Sequence, residues 1–121
     1  MQINNKDYYN RDLHHAYRWC KVHGRNKQVE DILLNKKALR YLFDYALCVI
    51  KGRWEEAEEF IIRSPYFMNL YARNIIKGKL PDNLHNAMLV FGMIKTEERL
   101  VKDYLDFLKF NPHISAPVNN K

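Results

Sequence analysis

The chain is poor in residues that interrupt helices and in residues that cross-link a fold. Of its 121 residues, four are glycine, four are proline and two are cysteine. The glycines and prolines fall at the ends of apolar segments, not inside them, so they read as punctuation between helices. No strand pattern competes. Two cysteines without a secretory signal suggest reduced thiols and not a disulfide scaffold. No apolar run reaches the length needed to cross a bilayer. The start, Met1-Gln2-Ile3-Asn4-Asn5-Lys6, is polar and has no apolar signal region behind it, so an intracellular, cytoplasmic protein is expected.

Motifs of familiar chemistries are missing as well. There is no glycine-rich phosphate loop, no Gly-x-Ser-x-Gly elbow and no His-Glu-x-x-His pair. Cys20-x-x-His23 resembles half a zinc site, but no second half follows. His14, His15, His85 and His113 have no ligand spacing. The expectation is a protein that is not an enzyme and needs no cofactor or metal.

What the chain does contain is a repeat. Tyr45-Ala46-Leu47-Cys48-Val49-Ile50-Lys51-Gly52-Arg53-Trp54 returns 26 residues later as Tyr71-Ala72-Arg73-Asn74-Ile75-Ile76-Lys77-Gly78-Lys79-Leu80. A fainter copy lies 28 residues upstream, where Tyr17, Cys20, Val22, Gly24 and Arg25 match Tyr45, Cys48, Ile50, Gly52 and Arg53. Val29-Glu30-Asp31-Ile32-Leu33-Leu34 likewise matches Ala57-Glu58-Glu59-Phe60-Ile61-Ile62 at 28 residues. A period of this size points to stacked helical pairs, which make extended partner surfaces more often than catalytic pockets.

The pattern Tyr-Ala-x-x-(Val/Ile)-Ile-Lys-Gly-Arg-Trp-x-Glu-Ala-Glu, followed by Ser64-Pro65, resembles a short α-helical repeat of bacteriophage proteins of unassigned function. The resemblance covers roughly residues 17–80 and is best at Tyr45 to Glu58. Asn26 stands for the Trp in the first copy, and Leu80-Pro81-Asp82 replaces Trp-x-Glu in the last. The resemblance implies a viral origin and a binding role.

Hydrophobic residues make up 47% of the chain, too many for disorder, and the length suits one domain. The expected fold is all-α: a solenoid-like helical-repeat domain over 1–112 and a mobile tail over 113–121. Asn10 caps a helix ending near His23, with Gly24 at its C′ position. Short helices are expected over 27–34 and 54–63, and longer ones over 37–51 and 65–77. Gly52 and Gly78 are expected at positive φ in the turns that follow the longer helices. Ser64 caps and Pro65 opens one of these. Helices over 82–93 and 97–110, the last capped by Thr96, are expected to cover the C-terminal end of the stack, and Tyr8-Tyr9 the other. Leu100, Tyr104, Phe107 and Leu108 form the buried stripe of the last helix.

Net charge is +6, with 20 Lys and Arg against 14 Asp and Glu. Cations gather at the glycine turns: Lys21, His23, Arg25 and Lys27, then Lys51 and Arg53, then Lys77 and Lys79. Adjacent packed helices lie about 10 Å apart, so equivalent turns would line one basic edge. Lys21, Arg25, Lys51, Arg53, Lys77 and Lys79 are therefore the candidate partner-binding residues. The plain alternative is that cations at helix C-termini favour the helix dipole.

The acids Glu55, Glu56, Glu58 and Glu59, echoed by Glu30-Asp31, read as a solvated face at helix starts. Cys20 and Cys48 read as buried and unbridged. Tyr17, Tyr45 and Tyr71 read as core, and Trp54 as the anchor of a turn; base stacking on Tyr66, Tyr71 or Trp54 is the competing use.

The function expected is that of a small, non-enzymatic, phage-type protein that binds a host or viral protein complex, with inhibition of a nucleic-acid-targeting defence system as one concrete form. The alternative is direct nucleic-acid binding through the basic edge. A hydrolase or nuclease using the acidic helices ranks third. No membrane partner is expected, and a homodimer is compatible with the sequence.

Overall fold

The structure, a computed structural model, describes residues 11–110. These form seven α-helices and no strand: α1 (Arg11–His23), α2 (Lys27–Lys36), α3 (Leu39–Tyr45), α4 (Glu55–Ile61), α5 (Pro65–Tyr71), α6 (Asp82–Phe91) and α7 (Glu98–Phe110). The fold is all-α, as the sequence implies. Asn10, Tyr8, Tyr9, Asn111-Pro112 and the tail over 113–121 lie outside the described residues. No described helix is long and apolar enough to cross a membrane.

Local signals account for most boundaries. The Asn26 side chain accepts from the Val29 amide at 3.0 Å and starts α2. Ser64 accepts from the Phe67 amide at 3.2 Å, with Pro65 in the first turn, and starts α5. Gly24 ends α1 at φ 97°, its amide bonded to the Cys20 carbonyl at 2.7 Å.

Two ends differ from expectation. α3 and α5 each run on into one wide π-type turn, Ala46–Ile50 and Ala72–Ile76. The residues that then turn left-handed are Lys51 and Lys77, both at φ 61°, and not Gly52 and Gly78. In the first of these turns the Lys51 amide reaches back to the Ala46 carbonyl at 2.7 Å and the Gly52 amide to the same oxygen at 3.2 Å. The wider turn brings the chain to its reversal one residue early, on the lysine. Thr96 caps nothing: a short 3₁₀ turn, Lys95–Glu97, leads into α7, and the Thr96 hydroxyl points at the Glu97 carboxylate.

The helices fall into two compact units, Met1–Ala57 and Glu58–Lys121. In the first, α1, α2 and α3 pack on one another. α1 buries Leu13, Tyr17 and Cys20, α2 buries Leu33, and α3 buries Tyr41, Leu42, Phe43 and Tyr45. The i, i+4, i+7 spacing on α1 is that of one helix face. Trp54 is buried, its ring 5.0 Å from that of Tyr45, so it anchors its turn as expected.

In the second unit, α5, α6 and α7 pack on one another around Met68, Tyr71, Leu84, Met88, Val101 and Tyr104. On α7, Val101 and Tyr104 are buried while Leu100, Phe107 and Leu108 are only half-buried. Gly92, at the end of α6, lies so close to α7 that a Cβ there would sit 3.1 Å from Val101 Cγ1. The end of α6 and the turn after it expose Leu89, Val90, Met93 and Ile94.

Candidate functional site

Two acids read from the sequence as solvated are buried. Glu30 and Glu58, which share a repeat position, are each only 4% exposed. Tyr45 donates its hydroxyl to Glu30 at 2.9 Å, and Tyr71 donates to Glu58 at 2.7 Å. Arg25 adds a two-pronged contact to Glu30, Nε to Oε2 at 2.8 Å and Nη2 to Oε1 at 3.0 Å. Burial alone would raise the pKa of Glu30; the bonds from Arg25 and Tyr45 outweigh it and hold the carboxyl below its ordinary value. Burial, joined by the carboxylate as acceptor, pushes the Tyr45 phenol up.

The tyrosine oxygens also tie down the backbone. The Asn26 amide donates to Tyr45 Oη at 3.1 Å, and the Leu80 amide donates to Tyr104 Oη at 3.1 Å. Tyr104 therefore repeats the joint made by Tyr45. Its other neighbour is an imidazole and not a carboxylate: His85 Nδ1 lies 2.6 Å from the Tyr104 oxygen. Arg25 and Tyr45 fill three of about four lone-pair sites of the Glu30 carboxylate, and the acid is buried as well. The remaining acids of that stretch, Glu55, Glu56 and Glu59, are exposed.

The six basic candidates divide in three. Arg25 is engaged with buried Glu30, so its guanidinium is part of the fold. Arg53 lies 3.6 Å from Glu55, and Lys79 lies 3.8 Å from Asp82; both are exposed, long pairs of little energetic weight. Lys21, Lys51 and Lys77 are exposed and form no ion pair among the described residues. Lys21 lies over the Tyr17 ring at 5.6 Å.

Stacking of bases on Trp54 or Tyr71 is ruled out by burial, at 2% and 0% exposure; Tyr66 remains exposed. Both cysteines are free, Cys20 buried and Cys48 half-buried. Burial raises the Cys20 pKa. His23 stacks on Trp19 at 4.1 Å and its Nδ1 sits 3.0 Å from the Trp19 carbonyl, so the half zinc motif is spent on a helix end. No three His, Cys, Asp or Glu side chains gather to hold a metal among the described residues.

The buried acids were missed because a Glu at a helix start has an adequate explanation in the dipole. The signal that would have found them is joint recurrence: Glu30 with Tyr45, then Glu58 with Tyr71, the acid returning after 28 residues and the tyrosine after 26. No protein-family model, curated protein or solved structure matches the chain.

Proposed function

We propose that the protein is a small non-enzymatic interaction protein of the bacteriophage helical-repeat type, which occupies an acidic surface of a host macromolecular complex and inhibits it. A nucleic-acid-targeting defence system is the concrete case suggested by the phage-repeat resemblance. The observation that carries the binding role is the backbone of Lys51 and Lys77. Both stand at φ 61°, exposed, at the tip of a helix-ending turn. A side-chain-bearing residue in this conformation costs about 1–2 kcal/mol. A cation at a helix C-terminus returns about 0.3–1 kcal/mol. Glycine would hold the same turn without the cost, and a glycine stands next in sequence at both places. Stability does not favour lysine there, which leaves the projected charge as the gain.

The test is an affinity pull-down from bacterial lysate with and without nuclease, comparing the parent with a Lys51→Glu/Lys77→Glu variant. The proposal expects a protein complex that survives nuclease and is lost with the variant, whose helical content stays unchanged. Capture abolished by nuclease would favour direct nucleic-acid binding by the same lysines. Equal capture by parent and variant would remove the lysines from the interface.

A further inference from the structure

We infer that the His85–Tyr104 hydrogen bond is a proton-operated latch between α6 and α7, closed while the imidazole is neutral and opened when it takes up a proton. The direction of the bond follows from its neighbours. Tyr104 is fully buried and its oxygen already accepts from the Leu80 amide. Its own O–H proton needs an acceptor, and the atom within reach is His85 Nδ1 at 2.6 Å. Nδ1 must then carry a lone pair, so the neutral ring bears its proton on Nε2.

A second proton can add only at Nδ1. It would set N–H against O–H and strand a buried hydroxyl without an acceptor. The charges around the ring act in the same sense on balance. Lys79, in the segment before α6, disfavours the imidazolium, and Asp82 on α6 favours it more weakly; burial of the half-buried ring is the largest effect, and the net result is a lowered pKa. From α7 the group facing the ring is Tyr104 itself, and α5 (Pro65–Tyr71) contains no charged side chain.

The Glu30 joint of the first unit does not share this sensitivity. Glu30 is held below its ordinary value and stays ionised where an imidazole titrates. Mild acid therefore acts on the α6–α7 joint while the Tyr45–Glu30–Arg25 joint of the first unit stays closed. A His with a lowered folded pKa stabilises the closed state fully above its ordinary value of 6.5. That contribution is lost as pH falls toward the folded pKa.

The test is site-resolved NMR of the whole chain from pH 7.5 to 5.0. It would follow the His85 ring nitrogens and the hydrogen-exchange protection factor of the Leu80 amide. The latch predicts the Nε2–H tautomer at pH 7.5, a His85 midpoint below 6.5, and Leu80 protection that falls below pH 6.5 by no more than about tenfold per pH unit. In His85→Gln, whose amide oxygen accepts from Tyr104 without titrating, Leu80 protection should not change over this range. A His85 midpoint at or above 6.5, or the Nδ1–H tautomer, would overturn the proposal in the parent protein alone. An equal loss of Leu80 protection in parent and His85→Gln would overturn it as well.

Discussion

Tyr71 gives its hydroxyl proton to Glu58 across 2.7 Å, with the tyrosine fully buried and the acid 4% exposed. Removing one partner of such a buried bond costs about 1–3 kcal/mol. Tyr71→Phe should lower unfolding stability by about that amount in urea denaturation. Glu58→Gln should cost less, because the amide oxygen still accepts. A Tyr71→Phe loss below about 0.5 kcal/mol would show that the bond is dispensable.

Acid stability should depend on Glu30. Its folded pKa lies below the ordinary value of 4.5, so its contribution is complete above that value and is lost as pH falls through the folded one. Urea midpoints should therefore fall between pH 5 and pH 3. Removing the guanidinium in Arg25→Ala should make that fall smaller, because the folded pKa moves back toward 4.5 while the unfolded value that sets the onset is unchanged. A fall as large as the parent's would mean that Arg25 does not hold the carboxylate.

The turn lysines allow a reversed expectation for glycine. Lys51→Gly releases a left-handed side-chain-bearing residue at the loss of a dipole contact, so stability should rise by up to about 1 kcal/mol. Gly52→Ala should be neutral within about 0.5 kcal/mol, since its Cβ would meet open space and its φ is not in the left-handed region. Gly92→Ala should cost about 1–3 kcal/mol, because the added methyl would press on Val101 and on the Leu89 carbonyl at 3.1 Å. Thermal or urea unfolding of the three variants ranks them directly.

The two thiols should differ. Cys20 is 1% exposed and its pKa is raised by burial, while Cys48, at the same repeat position, is half-buried. Under native conditions a thiol reagent should modify Cys48 well before Cys20. Equal rates would indicate that α1 opens often enough to expose Cys20 as fully as the Ala46–Ile50 turn exposes Cys48.

Helix identity was legible because it rests on local terms. The Ser64-Pro65 start, the Asn26 cap and the left-handed Gly24 each act within one turn of chain, so neighbours in sequence suffice to place them. The recurrence of residues was legible too, but it marks a shared geometry only in part: Lys51 and Lys77 both turn left-handed at φ 61°, while Gly24 does so and Gly52 and Gly78 do not. Sequence also identified which turns gather cations.

Partnering across the core was decided by tertiary structure. Glu30 meets Arg25 and Tyr45, and Glu58 meets Tyr71, only after helices pack; before that each Glu is an ordinary first-turn acid. Packing likewise paired Arg25 with a buried acid while leaving Lys51 and Lys77 with no ion pair among the described residues, a difference that charge alone does not express. The shift of the left-handed residue from Gly52 to Lys51 goes with a wide turn in which the Lys51 and Gly52 amides share the Ala46 carbonyl. His85 was a histidine without a motif until α7 brought Tyr104 to its ring nitrogen. Sequence determines what each segment can form by itself. The burial of polar groups, and hence which charges are spent and which remain for a partner, depends on which segments meet.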